Sequence, residues 1–221
     1  MVPPIDVLLF DPESFFEREE WGGWASPAAV IGLLLAVLLL TLYPTYQMTQ
    51  QLLGEMSGGS GFALLSVGFT AGWFIVTVPL YWLLVAGSAY GVGVWFDGDA
   101  DFSTIAQAVA WGFVPHVVGA LVTVAGSYLR YLQTEIPAVT EDMTQQEIQA
   151  LSAQISGVPT DPVNLIITVV GLATLFWGAY LWTVGVETVH GIERRHAAIV
   201  AVPWIVVSLI GLAVNFVGQM A

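Results

Sequence analysis

The charged residues of this 221-residue chain fall in clusters, and the stretches between the clusters are long and apolar. A bilayer core is crossed by a helix of about 20 apolar residues. Backbone amides and carbonyls inside the bilayer find no water, so a helix, which pairs them within one segment, is the structure such a stretch forms. We therefore predict five transmembrane helices, one in each of the stretches 21–54, 62–96, 102–129, 162–186 and 197–221.

The composition supports a membrane protein. Hydrophobic residues make up 57% of the chain and charged residues only 10%, whereas soluble domains carry about 25% charged residues. A water-soluble fold of this length could not bury so much apolar surface. The sequence predicts an all-α, polytopic transmembrane bundle of five helices.

The rare residue types exclude several chemistries. All four cationic residues are arginines, and the chain has neither lysine nor cysteine, which excludes Schiff-base catalysis, Walker-A phosphate binding, thiolate metal sites and catalytic thiols. A net charge of −13 repels nucleic acid. We expect no enzyme, cofactor, metal or nucleic-acid partner, and we expect the acidic, lysine-free composition to reflect a halophile.

The first 24 residues form a separate segment before the membrane domain, for which we predict the range 25–221. Within it, residues 11–21 predict a short interfacial helix, because Asp11 can cap it and Pro12 suits its first position. A docking helix for a soluble partner is the alternative interpretation. The aromatic residues expected to contact lipid headgroups are Phe15, Phe16, Trp21 and Trp24.

The arginines predict the orientation of the bundle. An odd number of spans places the termini on opposite sides, and the side of the N-terminus receives three of the four arginines. The positive-inside rule then places the N-terminus in the cytoplasm and the C-terminus outside the cell membrane. The long external loop 130–161 contains a capping box, Thr144 to Glu147, which predicts a short amphipathic helix on the outer surface.

The second apolar stretch has two further features. Its helix would be about 52 Å long at the 1.5 Å rise per residue, so it must tilt, protrude or bend at Pro79. It also carries two GxxxG motifs, which permit close approach of helices in lipid. We favour packing of these glycines inside the monomer, with a homodimer or partner helix as the alternative. The four glycines are Gly68, Gly72, Gly87 and Gly91.

Pro115 and His116 lie near the middle of the third stretch. Pro115 leaves a carbonyl one turn earlier without its helical donor, and an ionisable residue inside the membrane is a functional candidate by default. We favour a structural role for His116 near this kink. A proton, ion or ligand site is the alternative, although no carboxylate lies at comparable depth.

Two E-x-x-H pairs lie close together before the last stretch. Glu187 precedes His190, and Glu193 precedes His196; on a helix each pair would share one face. The adjacent arginines compete for the carboxylates, so a turn with local salt bridges is favoured over a metal site. The candidate functional residues of the chain are thus Pro115, His116, His190, Glu193, Arg194 and Arg195.

The order of motifs resembles the Yip1-domain membrane proteins. The segment DPESFF at 11–16 matches their P-x-x-F-F opening. Gly98 and Phe102 precede a helix with a proline in mid-span, Pro115, and a His-Gly pair at 190–191 precedes Arg195. The resemblance implies five spans and a cytoplasmic N-terminus. Eukaryotic members bind Rab-type GTPases, but their D-L-Y-G-P stretch is absent here, and for prokaryotic relatives the resemblance implies no assigned reaction.

The function predicted from the sequence is that of a non-enzymatic membrane protein that organises or stabilises partners. The expected partners are membrane lipids together with another membrane protein or a second copy of the chain. The alternative is a small transporter or channel, in which His116 and the Pro79 and Pro115 kinks line a pathway. That alternative predicts that His116 faces a wet cavity.

Overall fold

The computed structural model describes residues 5–18, 21, 23–53, 59–133, 143–144, 146–147 and 161–218. All regular structure in these ranges is helical. A 3₁₀ turn, Ala198–Val200, links the last two helices. The helices are α1 (Ile5–Phe10), α2 (Pro12–Phe16), α3 (Ala25–Leu39), α4 (Leu42–Leu53), α5 (Gly59–Trp95), α6 (Phe102–Trp111), α7 (Val114–Gln133), α8 (Pro162–His190), α9 (Arg194–Ala197) and α10 (Ala201–Gly218).

The predicted all-α polytopic bundle is confirmed. Among the described residues, four helical segments are long and apolar enough to cross a membrane, and α6 with α7 forms a fifth span when this bent pair is counted as one. The four segments are Pro27–Leu53, Gly59–Trp95, Pro162–His190 and Arg194–Val214.

Prolines explain two breaks in the spans. Pro115 has no amide hydrogen for the carbonyl of Trp111, and α6 and α7 meet there at 40°, as the sequence predicts. Pro44 likewise has no amide hydrogen for the carbonyl of Leu40, the residue at which α3 ends. Pro79, in contrast, lies inside a continuous α5 of 37 residues. This helix is about 55 Å long, so it must tilt or protrude.

Burial divides the bundle into two halves. The compact half consists of α1, α2, residues 85–96 of α5, residues 102–117, residues 174–190 of α8, and residues 192–201. Every one of the largest fully buried side chains lies in it, including Trp182, Phe113 and Leu8. The open half consists of residues 59–77, 118–133, 162–173 and 202–214, where most large apolar side chains are exposed.

The N-terminal segment contributes to the compact half. Asp11 caps α2 by accepting a hydrogen bond from the Ser14 amide (3.4 Å), as predicted. Phe15 and Phe16, however, do not lie among headgroups; they are buried against Trp111 and other side chains of α6 and α8. Their placement at the membrane surface was wrong because the helix packs its aromatic side chains inward. The two other aromatic residues differ, since Trp21 is buried and Trp24 is 47% exposed.

Caps fix the loop ends of the compact half. Asp101 caps α6 by accepting from the Thr104 amide (3.1 Å) and hydroxyl (2.8 Å), and these bonds lower the pKa of the Asp101 carboxyl. Gly191 ends α8 with φ of 66°, a conformation that favours glycine. These two ends lie on the side that carries α9.

Between Gln133 and Asp161, the structure describes four residues, 143–144 and 146–147. Glu147 accepts hydrogen bonds from the amide and hydroxyl of Thr144, whose hydroxyl oxygen in turn accepts from the Glu147 amide. This reciprocal pair is the predicted capping box. The amphipathic helix predicted to follow it lies outside the described residues.

Candidate functional site

Arg194 joins the N-terminal segment to the end of α8. Its Nε donates to Glu187 Oε2 at 2.6 Å, and its Nη2 donates to Glu13 Oε1 at 2.7 Å. Glu13 lies in α2, 181 residues away in sequence. The guanidinium is about half exposed, so solvent and salt screen both pairs. These two ion pairs, the arginine clamp, therefore orient the N-terminal segment. The burial of Phe15 and Phe16 supplies most of the free energy that holds this segment on the bundle.

The two E-x-x-H pairs do not assemble into one site. Arg194 engages Glu187, and Arg195 Nε contacts Glu193 Oε2 at 2.6 Å. The His196 ring stacks on Phe96 with centroids 3.9 Å apart. Within the described residues, no group of three His, Cys, Asp or Glu side chains could hold a metal ion.

His190 is buried between two glycines. It is 2% exposed, and neither ring nitrogen has a hydrogen-bond partner among the described residues. A Cβ on Gly93 would lie 2.0 Å from its Nε2, and a Cβ on Gly98 would lie 2.7 Å from its Nδ1. The imidazole thus fits there only because both positions lack a side chain. The sequence motifs did not indicate Gly93, because this glycine is not part of either GxxxG motif.

The four glycines of the GxxxG motifs make no such contacts. A Cβ built on any of them would meet no other atom of the described chain within 4 Å, and all four are exposed. For the part of the chain that the structure describes, the interpretation that they pack inside the monomer is therefore wrong. The physical reason is their position on α5, because Gly68, Gly72, Gly87 and Gly91 lie on its outward side and the other helices pack on its inward side.

His116 lies directly after the bend between α6 and α7. Its ring stacks on Trp182 with centroids 5.6 Å apart, and a Cβ on Gly178 would lie 2.5 Å from its Cε1. Trp182 is itself held by a hydrogen bond from its Nε1 to the Val109 carbonyl (3.0 Å). The His116 Nδ1 is buried without a hydrogen-bond partner among the described residues. The structure thus fixes the ring by packing, with Nδ1 on its buried side next to Gly178.

His116 also lines an open cleft of about 390 Å³ between α7, α8 and α10. Tyr81 of α5 contributes to the same lining, a role that no pattern in the sequence indicates for a single tyrosine in an apolar helix. Thr168 and Ser208 add hydroxyl groups. The rest of the lining consists of Ile167, Gly171, Leu172, Leu175 and Leu212.

Comparisons with known proteins agree with this architecture. The family model of the Yip1 domain matches residues 5–215, nearly the whole chain. An uncharacterized protein of Methanocaldococcus jannaschii is 34% identical over 47 residues, which are 21% of this chain and 33% of that relative. The match thus spans about a third of the relative's length. No solved structure matches the chain.

Proposed function

This chain belongs to the Yip1-domain family, and from that premise we propose that it organises or stabilises protein partners in the membrane without catalysing a reaction. The family consists of membrane proteins that interact with partners. We place the chain in the cell membrane, with its N-terminus in the cytoplasm, residues 1–24 as a separate segment and residues 25–221 as the membrane domain.

The outward side of α5 carries this proposal. Its four GxxxG glycines are free of contacts within the described chain, and large apolar side chains such as Phe69 and Trp73 are exposed beside them. Lipid tails are as apolar as these side chains, so the association of helices in a membrane depends on close packing at small residues. This side of α5 therefore suits a second copy of the chain or a helix of another membrane protein.

The N-terminal segment suits a different contact. Its aromatic side chains already pack within the bundle, so a soluble partner would meet polar residues such as Glu17 and Arg18, which are exposed. A partner on this side would bind by polar contacts that salt weakens.

Substitution of the free glycines tests the proposal. The chain is extracted at high salt in a mild detergent, its mass in solution is measured, and copurifying proteins are identified at defined stoichiometry. We expect a homo-oligomer or a fixed membrane partner, which Gly72→Leu and Gly91→Leu abolish. Gly32→Leu is the matched control, because Gly32 of α3 is also exposed and free of contacts. A monomer without partners, or equal losses in all three variants, contradicts the proposal.

A transporter or channel is the second candidate, and the cleft at His116 favours it. Pro115 bends the adjacent span, although α5 continues through Pro79. The test is flux of protons and of small cations into vesicles that contain the purified chain, compared with vesicles that contain His116→Ala. Flux that the substitution abolishes supports this candidate, and an absence of flux eliminates it.

A further inference from the structure

The cleft beside His116 contains polar groups at a depth where the membrane offers them no partner. His116 lies about halfway along the α6–α7 span, and the Tyr81 hydroxyl has no hydrogen bond among the described residues. Hydrocarbon cannot hydrogen-bond to either group, and an unpaired polar group there costs several kcal/mol as an order of magnitude. An occupant that hydrogen-bonds to both would remove that cost.

The remaining lining excludes a charged occupant. None of the described residues that line the cleft is charged, so a carboxylate or an ammonium would enter without a counter-charge. Water is a poor filling too, because a buried water needs two to four polar partners. Four polar side chains among apolar ones cannot satisfy the water that about 390 Å³ would hold. The lining instead suits an apolar body with one uncharged polar group.

We propose that this cleft binds an uncharged lipid whose hydroxyl group lies between Tyr81 and His116. A hydroxyl both donates and accepts hydrogen bonds, and so does a phenol. A neutral imidazole offers one donor or one acceptor at Nε2, the ring nitrogen of His116 that is not buried. Ile167, Leu172 and Leu212 line the part of the cleft that receives the chain or ring of the lipid. Its volume falls within the range of about 300 to 1,000 Å³ that is typical of ligand sites.

The wall behind the two polar groups is fixed before any ligand binds. The Tyr81 ring contacts the rings of Phe113, Trp182 and Trp204, with centroids 5.5, 6.3 and 5.0 Å apart. Trp182 also stacks on His116. Such a wall holds the phenol and the imidazole in place, so binding loses little side-chain entropy. This site is separate from the partner surface on α5 and does not depend on it.

Photolabelling with a long-chain alcohol tests the site. The chain in nanodiscs of defined phospholipid is exposed to a fatty alcohol that carries a diazirine, and the labelled peptides are identified by mass spectrometry. We expect labelling on residues 167–175 and 208–212 that unlabelled hexadecanol removes. Hexadecane and hexadecanoate should compete about tenfold less well, because each lacks the neutral hydroxyl. Labelling spread equally over the exposed part of α5, or equal competition by hexadecane or hexadecanoate, overturns the proposal.

Two variants show whether the hydrogen bonds matter. Tyr81→Phe removes one hydroxyl and leaves the ring contacts, and we expect it to weaken competition by hexadecanol about three- to tenfold. His116→Ala should weaken it at least as much if the variant folds, as judged by its elution in size-exclusion chromatography. Unchanged competition in Tyr81→Phe contradicts the proposal even if His116→Ala does not fold. Gly72→Leu, which should abolish partner binding, should leave the photolabelling of the cleft unchanged.

Discussion

The compact and open halves of this bundle use the same residue type in opposite ways. In the compact half, Gly93 makes room for the His190 ring, and Gly112 makes room for Trp182. In the open half, on the outward side of the same helix α5, Gly68 and Gly72 have open space around them. The comparison teaches that a glycine on a transmembrane helix either receives a side chain of the same chain or stays available for another molecule.

The difference follows from the size of the facing side chains. A tryptophan or histidine ring can lie flat against a helix only where no Cβ intervenes, and the close contact gains dispersion energy that lipid would not supply. The compact half has such rings in Trp182 and His190. The open half presents its large side chains outward, so a cleft remains where its helices meet the bend at His116.

Truncation of a buried phenylalanine should show the largest difference between the halves. Phe15 is 1% exposed in the compact half, and Phe69 is 76% exposed in the open half. Phe15→Ala leaves a cavity and should lower the free energy of unfolding by about 3 to 5 kcal/mol. The matched Phe69→Ala variant should change it little, as measured by unfolding in mixed micelles. Similar losses for both would show that the segment before α3 is not docked as described.

Alanine at glycine positions of α5 should give the next largest difference. The new Cβ of Gly93→Ala would overlap the imidazole of His190, and we expect a loss of about 1 to 3 kcal/mol of stability. Gly87→Ala meets open space and should be neutral or up to about 1 kcal/mol stabilising, because alanine favours helix. The same unfolding measurement compares the two. A loss in Gly87→Ala as large as that in Gly93→Ala would remove the distinction between the two sets of glycines.

A double substitution should sharpen the contact between Gly93 and His190. His190→Ala removes the ring that the new Cβ would strike, so the double variant should be less destabilised than the sum of the single variants by about 0.5 to 3 kcal/mol. The cycle is measured by the same unfolding assay. If the stability losses of the two single variants simply add, the His190 ring does not contact position 93 and the described packing is contradicted.

Loss of the arginine clamp should have the smallest effect. Arg194→Gln leaves Glu13 and Glu187 without their shared cation, but both pairs are exposed to screening. We expect a lower stability than the wild type at low salt and a difference that shrinks as salt is raised. Arg195→Gln is the matched control, because its pair with Glu193 joins no distant element. A salt-independent loss would assign Arg194 a packing role instead.

Local rules predicted some features of the candidate site and missed others. The bend at Pro115 follows from one missing amide hydrogen, and the caps at Asp11 and Thr144 follow from one side chain and the next turn. The glycine partners of His190 and His116 have no such local signature. Gly98 and Gly178 are recognisable as packing positions only when the facing helix is known.

The alternation of charge clusters and apolar stretches by itself determined an all-helical membrane bundle, because an apolar stretch of about 20 or more residues in a bilayer pairs its backbone within itself only as a helix. It also determined the helix caps and the bend of the third span, which depend on neighbours within one turn. Tertiary structure alone decided that Phe15 and Phe16 lie inside, that the GxxxG glycines of α5 are free, and that Tyr81 joins His116 in a cleft. Each of these depends on which helix faces which, and in lipid that choice rests on the fit of particular side chains, since hydrophobicity does not distinguish one apolar helix face from another.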